Sequence, residues 1–186
     1  MLRTLPQTRD HSLVYRLAGV GVFTLLTALL ARLTVEIGPV PVTLQVLAVL
    51  LAGLVLGARD GALSQLAYLG LLALNLPVDA RGIGVAALLG PTAGYLLGFV
   101  PAAYAAGWLA QHGASSLARR WGAGIAGTAV IYVCGALLLK LNSGMSWEAV
   151  WAAGVLPFIG FDLVKAVAAA ALAEGGRALL RRGWNG

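Results

Sequence analysis

Hydrophobic residues run along this chain in blocks long enough to cross a bilayer, separated by short connections. A spanning helix needs about 20 apolar residues, fewer where short helices meet internal loops. Six segments qualify: Leu13 to Thr34, Thr43 to Gly57, Gly61 to Asn75, about Gly90 to Ala110, about Trp121 to Leu141, and Pro157 to Leu180. The second and third are short, about 15 residues each, and are expected to tilt or to span only in part. Arg16 and Arg32 interrupt the first segment only near its ends, where long side chains reach the headgroups. The alternating ten-residue strands of a membrane barrel are nowhere visible. The pattern predicts an all-α polytopic membrane protein with six transmembrane helices in one domain, residues 1–186. A polar segment, 1–12, precedes an apolar run longer than a signal peptide's core, so the first helix is expected to be retained.

Composition sharpens this. Of the 186 residues, 60% are hydrophobic and 11% charged, with a mean hydropathy of +0.87. A soluble domain carries about 25% charged residues. The net charge of +6 is dispersed, without the clustered basic patches or aromatic interleaving of a nucleic-acid binder. The basic residues instead read as topology signals. Arg3, Arg9, Arg16, Arg59, Arg119, Arg120, Arg177, Arg181 and Arg182 fall on one side of the six-helix plan. Arg32, Arg81 and Lys140 fall on the other, and Lys165 lies inside the sixth helix. Positive charge prefers the cytoplasm, so both termini are expected there, in a multi-pass protein of the cell membrane.

The outer connections differ in kind from the inner ones. Residues 37–42, 76–85 and Asn142 to Leu156 are long, apolar and mostly rich in Gly and Pro. Two readings fit them. They fold back into the bundle around a cavity, where non-helical backbone is tolerated. Alternatively they lie among the headgroups, with Trp147 and Trp151 as interface anchors.

The sixth segment carries the strongest chemical signal. Asp162 and Lys165 stand three residues apart, on one face of a helix, inside an apolar run. Charges there are costly unless they pair or face a polar cavity. The pair is either a local salt bridge or one wall of a site. Other polar residues near the same face are Thr43, Gln45, Asn75, Asp79, Arg81, Thr92 and Tyr95. A mostly apolar bundle with a few converging polar groups suits a small-molecule pocket. Each has a plainer reading as well. Thr43 caps the second helix with Gln45 in its first turn, Asp79 pairs with Arg81, and Tyr95 is an interface aromatic.

Enzyme chemistry finds no support. The sequence lacks a Walker A motif. Its histidines, His11 and His112, fall in presumed cytoplasmic segments, and its one cysteine, Cys134, lies in an apolar run. No metal-ligand cluster or cofactor site is expected. In the first helix, Ala18, Gly19, Gly21, Thr24, Thr27, Ala28 and Ala31 form small-residue patches that allow close docking, inside the bundle or on another protein.

Three stretches then point to a family. They are Gly38-Pro39-Val40-Pro41-Val42-Thr43-Leu44-Gln45, then Gly90-Pro91-Thr92-Ala93-Gly94-Tyr95-Leu96-Leu97-Gly98-Phe99, and Pro157-Phe158-Ile159-Gly160-Phe161-Asp162-Leu163-Val164-Lys165. With Leu76-Pro77-Val78, they resemble the BioY family, the biotin-binding S components of energy-coupling factor (ECF) transporters, a type of ABC transporter. The resemblance implies a biotin pocket near the outer face, closed by the loops after helices one and three. It also implies partners: a transmembrane coupling protein and two cytoplasmic ATPases, through which alone ATP would enter. Ala18, Gly21, Thr24 and Ala28 suit docking on that coupling protein. On this reading Lys165 meets the ligand carboxylate or a polar edge, and Asp162 accepts ureido N–H groups or holds Lys165. Gln45, Asn75 and Arg81 are further contacts, and Tyr95 and Trp151 supply apolar walls. Two positions depart from the family pattern. Gly160-Phe161 stands where Pro-Gly usually precedes the aspartate, and Asp79 stands where an aromatic is usual. The alternatives are an S component or small carrier for another water-soluble vitamin, and a structural membrane protein without a ligand.

Overall fold

The computed structural model describes residues 12–36, 40–112 and 116–184, and for residues 12 and 177–184 only the course of the backbone. The polar segment at 1–12, Gly38-Pro39 and the side chains of Arg3, Arg9, Arg177, Arg181 and Arg182 therefore lie outside the description. Among the described residues seven α-helices occur in chain order. They are α1 (Ser12–Ala31), α2 (Gln45–Leu56), α3 (Ala58–Ala73), α4 (Ala93–Gln111), α5 (Leu117–Ser143), α6 (Trp147–Gly154) and α7 (Leu156–Trp184). A short antiparallel hairpin joins α1 to α2, pairing β1 (Thr34–Val35) with β2 (Val42–Thr43). A 3-10 turn over Gly84–Leu88 lies between α3 and α4.

The all-α expectation holds. The helices α1, α4, α5 and α7 are long and apolar enough to cross a membrane. By helical rise, the 12 residues of α2 cover about 18 Å and the 16 of α3 about 24 Å. Both fall short of a hydrocarbon core of about 30 Å.

Three boundaries differ from the pattern reading. The polar stretch 57–60 is not a loop. Gly57 alone separates α2 from α3, at φ 88°, a conformation that glycine adopts freely. Asp60 then sits in the first turn of α3, where a carboxylate complements the helix dipole. The stretch from Asn142 to Leu156 is also not a loop throughout. Gly144 ends α5 in the left-handed region, and the Ser146 hydroxyl accepts the Ala149 N–H at 3.3 Å to start α6. That turn of helix buries Val150 and Gly154 and leaves Trp147 and Trp151 half exposed on its outer side. Finally, α7 begins at Leu156, with Pro157 in its first turn, where the missing N–H costs nothing.

The bundle is knit by small residues. A Cβ on Gly53 would run into the Ala103 carbonyl, and one on Gly107 into the backbone of Ala58. These contacts bring α2, α3 and α4 together at one end. Larger side chains, among them Leu50, Leu54, Tyr68, Leu72 and Phe99, fill the space between. By contrast α1 leans on the bundle by a narrow face, with Thr24, Thr27 and Ala31 inward and Val14, Leu17, Val22, Leu25 and Leu29 exposed. Thr24 donates to the Ser64 carbonyl at 2.9 Å and Thr27 bonds Gln65, so this face docks on α3.

Polar ties are sorted by end. Where α1 begins and α2 ends, Arg16 holds Asp60 with two bonds of 2.7 and 2.8 Å, and Arg119 donates to the Leu109 carbonyl. Arg120 of α5 lies 2.6 Å from Glu174 of α7 at that same end. The opposite end gathers the hairpin, the segment 74–92 and the start of α7.

Candidate functional site

At that opposite end a cavity opens between loops and helices. Its floor and sides come from α2, α4, α5 and α7 through Val46, Leu96, Phe99, Ile131 and Phe158. Val40 and Pro41 of the hairpin and Ile83 and Ala87 of the second connection close it from above. The described residues of both connections thus fold inward, the first of the two readings that their apolar composition left open. The third, carrying α6, contributes no residue to the lining.

Asp162 and Lys165 are both buried in the cavity wall, with side chains 4% and 7% exposed. The Lys165 ammonium donates to Asp162 Oδ1 at 2.6 Å. From α5 the Tyr132 hydroxyl donates to Asp162 Oδ2 at 2.7 Å. Local pairing and membership of a cavity wall are therefore both true of this pair. Pairing offsets part of the desolvation cost of burying the two groups in such a place. Both keep spare capacity, since a carboxylate accepts about four hydrogen bonds and an ammonium donates three.

The second buried carboxylate, Asp79, also lines the cavity but is used differently. Its oxygens accept the backbone N–H groups of Gly84 at 2.8 Å and Arg81 at 3.0 Å. It builds the loop from within. Gly84 adopts φ 60°, and a Cβ there would meet Asn75 Oδ1 at 2.6 Å. The Arg81 side chain stands at the mouth, one third exposed, and grips Glu36 with bonds of 2.8 and 3.1 Å. That donation holds the Glu36 carboxyl below its ordinary pKa and raises that of Arg81. The pair joins the hairpin to the second connection. Arg32 adds a further tie by donating to the Pro77 carbonyl.

Of the other sequence candidates, Thr43, Gln45, Thr92 and Tyr95 reach the cavity. Thr43 accepts the Gln45 N–H at 3.2 Å, but it ends β2 and the N-cap of α2 is Leu44, without a side-chain cap, so the expected capping role is not what the structure shows. Gln45 donates from Nε2 to the Tyr68 hydroxyl at 2.7 Å, and Tyr68 donates on to the Val78 carbonyl. Thr92 donates to the Ala87 carbonyl, and Tyr95 is buried and donates to the Gly154 carbonyl at 2.8 Å. Asn75 and Trp151 lie outside the lining. Asn75 turns the chain at the end of α3 with φ 61° and accepts the Val85 N–H, and Trp151 faces outward from α6. The small residues of α1 divide as well. Thr24 and Ala28 face the bundle, while Ala18 and Gly21 are exposed.

Tyr132, Phe158, Phe99 and Ile131 are cavity residues that the sequence reading did not single out. Tyr132 had a signal: it is the one tyrosine of an otherwise apolar fifth segment. The others are apolar residues in apolar helices and carry none. Among the described residues no cluster of His, Cys, Asp and Glu is placed to hold a metal ion.

Comparison with known proteins agrees with this architecture. The family model described as BioY family matches residues 4–182. The biotin transporter BioY of Thermotoga maritima is 40% identical over 159 residues, 85% of this chain and 93% of that protein. The probable biotin transporter BioY of Pyrococcus horikoshii is 44% identical over 159 residues, 83% of this chain and 91% of that one. Among solved structures, the S-component for biotin from an ECF-type ABC transporter superposes with a TM-score of 0.85 at 25% identity. That match covers 93% of this chain and 95% of the other. The similar proteins are named as transporters, and a match of this extent settles membership: the chain belongs to the BioY family.

Proposed function

We propose that this protein binds biotin near the outer face of the cell membrane and is the substrate-specific component of an ECF-type transporter. The observation that carries this reading is the buried Asp162–Lys165 pair forming one wall of a closed-in apolar cavity. Biotin presents a ureido group that donates and accepts, an apolar bicycle and a carboxylate tail. Asp162 accepts a ureido N–H, and the remaining Lys165 donors meet the ureido oxygen. Phe99, Phe158 and Ile131 surround the bicycle, as aromatic and branched side chains suit a flat apolar ring system. Arg81 lines the mouth already paired with Glu36, and the carboxylate would compete with Glu36 for it. Gln45, Thr43, Thr92, Tyr95 and Asp79 shape the wall. Asn75 and Trp151 have no part in this proposal because they lie outside the lining.

In this reading both termini are cytoplasmic and six helices cross, with the short α2 and α3 completed by their loops. A transmembrane coupling protein and two ATPases supply the energy, and the chain itself holds no cofactor. The exposed Ala18 and Gly21 of α1 are the docking positions that remain accessible. Calorimetric titration of the purified chain with biotin and with other water-soluble vitamins tests the proposal. Tight saturable binding of biotin alone supports it. Preference for another vitamin, or unchanged biotin affinity in Lys165→Ala, overturns it.

A further inference from the structure

Asp162 and Lys165 are neighbours on one turn of α7, and nothing on that helix prevents the carboxylate from turning both oxygens onto the ammonium. A pair closed in that way satisfies itself and offers little to a ligand, since opposite charges attract strongly where water is excluded. What breaks the symmetry comes from another helix. The Tyr132 hydroxyl reaches across from α5 and donates to Oδ2, while Lys165 takes Oδ1. The reach is short because α5 and α7 approach closely, with Gly124 against Ala166. Tyr132 itself lines the cavity.

We propose that Tyr132 is a positioning residue that holds the Asp162 carboxylate open, so that an unshared acceptor edge lies beside an unshared Lys165 donor. That edge matches a cyclic urea, which offers N–H and C=O side by side, and not a simple carboxylate, which only accepts. The inference rests on the biotin reading for the ligand but not for the geometry. It is tested by titrating biotin into the full chain carrying Tyr132→Phe, Asp162→Asn and both. Tyr132→Phe is expected to weaken binding about tenfold, the loss of a hydrogen bond to a charged group. In the Asp162→Asn background the same change is expected to matter less than about twofold, because the residue it acts through is gone. Equal losses in both backgrounds, or no loss in the first, overturn the proposal. Infrared difference spectra of the unliganded chain give a second readout. The carboxylate band that disappears in Asp162→Asn must shift in Tyr132→Phe, and an unshifted band overturns the proposal even if biotin is not the ligand. Absence of biotin binding in the wild type with a shifted band leaves Tyr132 in place and removes only the ligand assignment.

Discussion

Helix α7 carries an ion pair towards each end, and the two are built differently. Towards the cavity, Asp162 and Lys165 sit on α7 itself, both buried, with Tyr132 of α5 bonded to the aspartate. Towards the other end, Glu174 meets Arg120 of α5, and the glutamate side chain is 43% exposed. The second pair spans two helices, so making it and packing α5 on α7 are one event. The first pair lies within one helix, and its tie to α5 is the hydroxyl bond from Tyr132. It also lines the cavity, which neither Arg120 nor Glu174 lines. Charged residues on the same helix thus tie it to α5 at one end and line a cavity at the other. A buried pair contained within one helix is weak evidence for stability and stronger evidence for use.

The comparison is most directly broken by replacing each pair with leucine-sized residues. Asp162→Leu with Lys165→Leu is expected to reduce biotin affinity by at least about a hundredfold, or about 2.7 kcal/mol. The unliganded melting temperature should stay level or rise, since a buried pair is commonly replaced by apolar residues without loss. A large drop in melting temperature would show that the first pair is a brace after all.

Arg120→Ala inverts the expectation. Glu174 keeps some water, so the cost is set below the 3–5 kcal/mol of a fully buried broken pair, at about 1–3 kcal/mol. Thermal unfolding should register that loss while biotin affinity changes less than about twofold. Strong loss of affinity would mean the two ends are coupled.

A smaller effect is expected at the second buried carboxylate. Asp79→Ala removes the acceptor for two backbone N–H groups, a cost of about 1–3 kcal/mol borne by the loop. Amide exchange over residues 79–85 should quicken well before global unfolding. If exchange there is unchanged and affinity collapses, Asp79 touches the ligand and does not chiefly build the loop.

The smallest effect belongs to the Glu36–Arg81 clasp. It is exposed to solvent, and screening keeps its worth below about 1 kcal/mol. Its carboxyl pKa is lowered in the folded protein, so its contribution is present above the unfolded carboxylate pKa and is lost as pH falls through the lowered value. Stability measured from pH 5 downwards should therefore decline slightly more steeply in the wild type than in Glu36→Gln. Matching slopes would remove the clasp from the account of how the two loops stay joined.

The sequence determined a good deal by itself. Runs of apolar residues announced the helices, because a bilayer leaves the backbone no other partner than its own carbonyls. Asp162 and Lys165 were legible because charge in such a run demands a reason. The helix inside 142–156 was also written there, in Gly144 and Ser146, but two tryptophans drew the eye to a loop. What only the tertiary structure decided was which polar groups share a space. Asp79 and Asp162 are equally buried and both line the cavity, yet one is spent on backbone N–H groups of its own loop and the other meets Lys165 and Tyr132. Asn75 and Arg81 flank the same turn, and only Arg81 reaches the mouth. Helical period fixes the face a residue takes on its own helix. Which residues of α5 and α7 meet depends on how close Gly124 lets the two backbones come, and that is a property of the packed pair.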